Sequence, residues 1–223
     1  MDIDQFKNLV RSAVSESDRE PVQAYILEKN ERKLTPFDIN RIAGNPIGIT
    51  DSRWPLFNGK KMFHVFTVDL NDVPRLKEKF SSEIRAFALF ISDTVDLVAD
   101  EPFNLHTKIL ELTQKDLACG VNEDSPKYDE NYKEPIEGSF KSHEIEFPAE
   151  LFYDYDVYDD LSDSVKAILE NMEFTIAGGR PIWLRGSKHT NDVLVQFDEY
   201  FYEMNLGYGG TLYVYKDTAF MNH

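Results

Sequence analysis

The chain has 223 residues, and its 40 acids against 24 bases leave a formal charge of −16. Each phosphate contact needs a cation to displace a counterion, so this balance argues against nucleic acid and anionic membranes and for a cationic protein as partner. Apolar residues at 42%, with 11 Tyr and 16 Phe, support a substantial core biased toward sheet.

One cysteine, Cys119, excludes an internal disulfide framework and suits a reducing compartment. No run reaches the roughly 18 apolar residues of a membrane span. The acidic start, Met1 to Asp4, lacks the basic region of a signal peptide, so the expected location is the cytoplasm.

Phe6, Leu9, Val10, Ala13 and Val14 recur at helical spacing and predict an amphipathic helix over 4–16, capped by Asp2 or Asp4. Val22, Ala24 and Ile26 share one face of a strand over 21–27, its edge marked by Pro21. Gly44, Asn45, Pro46 and Gly48 punctuate a turn, and Asn58 with Gly59 gives a hairpin signal. Residues 62–70 then read as a largely buried strand, 75–80 as a short helix and 84–92 as another strand. Further on, 104–112 alternates as a strand, 122–139 is polar and 143–147 suits a short strand. A helix over 160–171 carries Leu161, Val165, Ile168, Leu169 and Met172 on one side.

The second half echoes the first. Ile176 to Trp183 repeats the turn at Ile42 to Ile47 with one inserted residue. Val193 to Asp198 echoes Val65 to Asp69, and Gly210 to Asp217 echoes Arg85 to Asp93. Three echoes in one order predict an internal duplication. The expected fold is α+β, with mainly antiparallel sheets in two similar halves packed as a single compact domain over 1–223 behind an N-terminal helix. Half one covers about 20–118, an acidic connector 122–163, and half two 164–223.

Between Asn122 and Ser164 fourteen acids meet only Lys127, Lys133 and Lys141, so this stretch carries −11 of the total charge. Within it Phe152, Tyr153, Tyr155 and Tyr158 interleave with Asp154, Asp156, Asp159 and Asp160. Exposed tyrosines are rigid interface anchors, and carboxylates around them speed association with a basic surface. Tyr153, Asp154, Tyr155, Asp156, Tyr158, Asp159 and Asp160 are therefore the predicted partner-binding residues.

No cofactor, metal site or catalytic residue is predicted. His64, His106, His143, His189 and His223 are scattered without ligand spacing, and the aspartate run lacks the central glycine of a calcium loop. Gly207 to Gly210 precedes a strand and reads as a tight turn, not a phosphate loop. Cys119 reads as a small semi-buried residue. Asp69 and Asp198 end equivalent strands, where an aspartate usually caps a turn. An alternative is an enzyme or small-ligand protein with its site in the cleft between the halves, near Trp54, His64, Trp183 and Gln196.

The ordered motifs, Arg41 to Pro46, Trp54 and Pro55, Met62 to Leu70, Gly178 to Trp183, Val193 to Asp198 and Gly207 to Val214, resemble the YwqG-like family of bacterial proteins. Asn45 stands where that family has a second glycine, and Phe66 to Val68 replace its Leu-Gln-Ile-like run. The resemblance implies an α+β, mainly antiparallel architecture with two similar units, and it brings no catalytic residues. Some proteins resembling this family are encoded beside secreted toxins as immunity partners. The implied function is thus a non-catalytic, antitoxin-like protein that occludes a basic toxin or effector domain.

Overall fold

The computed structural model describes residues 2–92, 107–126, 136–152, 155–171, 175–182, 193–198, 211–216 and 219–222. The expectations placed on Asn104 to His106, Met172, Trp183 and Gly207 to Gly210 lie outside them, as does 127–135 of the acidic connector.

Helix α1 (Ile3–Glu16) starts where the Asp2 carboxylate accepts the Gln5 N–H at 2.8 Å and the Gln5 side chain accepts the Asp2 N–H in return. That reciprocal capping satisfies two of the donors a helix start leaves open. Its buried stripe is Phe6, Val10 and Ala13. In chain order there follow β1 (Val22–Lys29), β2 (Arg41–Ile42), β3 (Leu56–Phe57), β4 (Lys60–Lys61), β5 (Phe63–Asp69), α2 (Pro74–Lys77), β6 (Ile84–Ile91), β7 (Thr107–Thr113) and α3 (Gln114–Leu117). The remaining elements are β8 (Gly138–Phe147), α4 (Asp163–Glu170), β9 (Thr175–Ala177), β10 (Val195–Asp198), β11 (Thr211–Val214) and β12 (Ala219–Asn222).

The hairpin β3–β4 turns through Asn58 (φ 49°) and Gly59 (φ 79°), the two positive-φ positions that an Asn-Gly pair supplies at least cost. The other strands form one antiparallel, curled sheet in the order β12-β11-β10-β9-β1-β8-β2-β5-β6-β7. At its centre β1 and β8 pair from Val22 opposite Phe147 to Lys29 opposite Phe140. β1 is an interior strand with neighbours on both sides, and Pro21 precedes it, so the missing N–H takes nothing from the ladder.

The strand expected over 143–147 is the second half of β8. Its first half, Gly138 to Ser142, has no apolar alternation to reveal it. The helix expected over 75–80 is the single turn α2, with Pro74 at its first position.

The curl follows from one contact. Five inter-strand steps separate β10 from β5 in the sheet, about 24 Å if the sheet were flat. Yet Phe66 of β5 stacks on Phe197 of β10 with ring centroids 5.6 Å apart. The concave interior between them is filled by Tyr25, Leu27, Phe87, Leu89, Leu212 and Tyr213 among others. Outside, α1 and α4 cover Ala24, Ile26, Ile145, Phe147 and Ile176. Around β6 the outer face carries Ala86 and Ala88, small enough to admit Ile47, Ile49 and Trp54 from the segment after β2.

Two turns share a geometry. Ala43 and Gly44 (φ 54° and 57°) follow β2, and the Ala43 N–H donates to Val65 O at 2.9 Å. Gly178 and Gly179 (both φ 71°) follow β9, and the Gly178 N–H donates to Leu194 O at 2.8 Å. Among the described residues no helix is long and apolar enough to cross a membrane.

Removing the ring that closes the curl, Phe66→Ala, leaves a cavity in a fully buried site. The expected loss is about 3–5 kcal/mol of stability, read as a lower urea midpoint in equilibrium unfolding.

Candidate functional site

The polypeptide leaves β8 through a short turn, Ala149–Phe152, with Leu151 buried. Phe152, the first of the rings interleaved with the aspartates, turns inward. The Phe152 ring packs edge-on against Phe147 at 6.1 Å, within the cluster under α1 and α4. Its apolar surface is already used for folding, so it is not an interface anchor.

Tyr153 and Asp154 lie outside the described residues. Tyr155 and Asp156 belong to a 3-10 turn, Tyr155–Asp160, that leads into α4; their side chains are not described. Tyr158 is half-buried, with Lys166 Nζ 5.6 Å from its ring centre. The same ammonium donates to Asp159 O at 3.0 Å. Asp159 and Asp160 are exposed, and neither carboxylate has a cationic partner among the described residues.

The fold brings further acids to this turn. Ser162 caps α4, its Oγ accepting the Val165 N–H. Ser164 Oγ in the first turn donates to Glu16 Oε2 at 2.6 Å. That bond ties the end of α1 to the start of α4, so exposed Glu16 and Asp163 join Asp159 and Asp160. The N-terminal dipole of α4 stabilises Asp163 and its neighbours. Glu16 gains no such help at the C-terminal end of α1. Glu16 is the residue that sequence reasoning missed, because only α1–α4 packing joins positions 148 residues apart.

Elsewhere the connector's charge is partly compensated. Asp124 pairs with Lys61 at 2.9 Å and Glu144 with Arg75 at 3.2 Å, while Glu150 accepts from Ser17 at 2.8 Å beside Arg19. Asp159 and Asp160, like exposed Glu123 and Glu146 of the same segment, meet no cation among the described residues.

Of the residues of the alternative cleft, Trp54, His64 and Gln196 are buried and each bonds within the fold, while Trp183 lies outside the described residues. Trp54 donates its indole N–H to Met62 O at 2.9 Å, and Gln196 Oε1 accepts the Ile182 N–H at 2.8 Å. His64 lies 3.0 Å from Ala43 O through Nδ1 and 2.9 Å from Thr67 Oγ1 through Nε2. A carbonyl only accepts, so Nδ1 carries the proton and Nε2 accepts from the threonine hydroxyl. Two grooves of about 400 Å³ lie elsewhere, one beside α1 and β8, the other around Phe37, Asn40 and Asp72.

Beside His64, Arg41 is buried and donates to the carbonyls of Thr35, Asp38 and Asn45. Burial pulls its pKa down to about 10. Asp69 receives Arg85 at 2.6 Å and the Asn71 N–H at 2.8 Å, but burial outweighs both and raises its pKa. The Asp198 side chain is not described. Cys119 is exposed, not semi-buried, because it sits on the turn that follows α3. Among the described residues no three His, Cys, Asp or Glu side chains gather as a metal site would need. No protein-family model matches this chain, and no curated protein matches it.

Burial of the imidazole holds the His64 pKa down at about 4, and the Arg41 charge adds to the effect. The unfolded chain has the ordinary value near 6.5 and binds the extra proton between those pH values, so stability falls as pH drops from about 6.5 to 4, by on the order of 3 kcal/mol. His64→Gln should flatten that part of the urea-midpoint-against-pH curve.

Proposed function

We propose that this protein is a non-catalytic binding protein of the immunity, antitoxin-like kind. In this reading it neutralises a basic toxin or effector domain through the acidic turn before α4, and it works in the cytoplasm. The observation that carries the proposal is the exposed pair Asp159 and Asp160, without cationic partners among the described residues and flanked by Glu16 and Asp163. Uncompensated carboxylates on a rim give a field that steers a cationic partner and raises its association rate. Tyr153, Asp154, Tyr155 and Asp156 complete the proposed surface. Tyr158 contributes the outer face of a ring already braced by Lys166.

The proposal includes the likeness to the YwqG-like family and an origin by duplication. Support for duplication comes from the two turns at Ala43–Gly44 and Gly178–Gly179. Aligned on their positive-φ pairs, Pro46 falls on Pro181 and Ile47 on Ile182 with no inserted residue. Strand order supports it too: β2-β5-β6-β7 on one side of the β1–β8 pair mirrors β9-β10-β11-β12 on the other.

The test uses the C-terminal domain of a secreted protein encoded beside this gene. Changing Asp154, Asp156, Asp159 and Asp160 together to Lys should lower the association rate at low salt by about 10-fold or more, as expected when electrostatic steering is lost. It should also flatten the dependence of that rate on ionic strength. An unchanged rate, with protection in cells intact, would rule this surface out.

A further inference from the structure

The geometry points to a second interaction surface: the outer edge of β8 at Glu144 to Glu146, which accepts an extended basic–apolar–basic segment of a partner as an added strand. The Asn30 N–H donates to Ser139 O at 2.8 Å, so Ser139 turns its main chain toward the β1 side. Main-chain direction alternates along an antiparallel pair. Lys141, His143, Ile145 and Phe147 therefore face β1, while Ser142, Glu144 and Glu146 direct their N–H and C=O groups outward.

On that outward side β2 reaches only Gly138 and Ser139. Among the described residues the outward main-chain groups of Glu144 and Glu146 have no partner. At Ser142 the hydroxyl ties to Asp72 O at 2.5 Å, and the loop before α2 closes that end.

This edge opens into a groove of about 410 Å³ lined by Glu144, Ile145 and Glu146 on one wall and by Lys7, Val10, Arg11 and Val14 of α1 on the other. A strand added here gains main-chain bonds from the edge and specificity from alternate side chains. Its residues opposite Glu144 and Glu146 share their face of the sheet, and the residue between them shares the face of Ile145, toward Val10 and Val14. The glutamates select cations. Among the described residues Glu146 takes only the Gln23 amide at 2.9 Å, whereas Glu144 already holds Arg75. On the α1 side, Lys7 contacts His143 Nδ1 at 2.9 Å and Arg11 bonds Asn8, leaving their stems beside the apolar floor.

A second copy of this chain is disfavoured, since pairing edge to edge sets glutamates against glutamates. The surface is separate from the acidic turn and takes from that reading only the partner's positive charge.

The test titrates the labelled full chain with the peptide acetyl-Thr-Lys-Val-Lys-Val-Lys-Thr-amide, following amide hydrogen exchange by NMR. Saturable binding should slow exchange at the Glu144 and Glu146 amides. N-methylation of one alternate set of peptide amides should abolish binding, and methylation of the other set should not. Glu146→Lys should weaken binding by about 10-fold, while the Asp159→Lys, Asp160→Lys chain should bind as the parent does, which keeps this result separate from the fate of the acidic turn. Absence of binding, binding without slowed exchange at those two amides, or equal binding of the Glu-for-Lys peptide would overturn the proposal. So would slow exchange there that depends on protein concentration without peptide, which would assign the edge to self-association.

Discussion

A sheet of ten strands has two large faces to cover, and this chain covers much of one by bending the sheet until its two wings meet. The stacking of Phe66 on Phe197 marks that closure. Once the wings touch, the concave face buries Tyr25, Leu27, Phe87, Leu89 and Tyr213 without a second layer. The convex face needs only local covers, α1 with α4 over the middle and the Ile47 to Trp54 segment over one wing. Small side chains at Ala86 and Ala88 and large ones at Phe87 and Leu89 assign the two faces of β6 to different packing tasks.

Closure also explains the buried polar groups. The turn after β2 runs across the flank of the curl, where its carbonyls are withdrawn from water. Arg41 answers one of them, Asn45 O, and joins it to two carbonyls before β2, Thr35 O and Asp38 O, with a guanidinium whose donors match main-chain acceptors. His64 answers Ala43 and takes the Thr67 hydroxyl in return. An unmet buried carbonyl costs more than a hydrogen bond gains, so these contacts specify the turn's shape as much as they stabilise it. Residues that look chemically suggestive in isolation are thus committed to holding the chain.

The surface divides its charge unevenly. Carboxylates beside the sheet, at Glu144 and Glu150, have basic neighbours, while those at the start of α4 face solvent. Such an arrangement concentrates the negative field over one rim, where the helix dipole also favours it.

Local signals determined much of the layout. The capped stripe of Phe6, Val10 and Ala13, the Asn58–Gly59 hairpin and the apolar runs at Phe63 to Asp69 and Ile84 to Ile91 are written in adjacent residues, and nearest-neighbour physics reads them directly. The polar first half of β8 is not, because its strand state depends on pairing with β1 over one hundred residues away. The inward turn of Phe152, the joining of Glu16 to the acidic turn and the end of the β2–β8 pairing at Ser139 were likewise decided by tertiary contacts. Sequence fixes which residues carry charge or rings. Which of them water can reach is settled when distant elements compete for the same surface, and no local pattern encodes that competition.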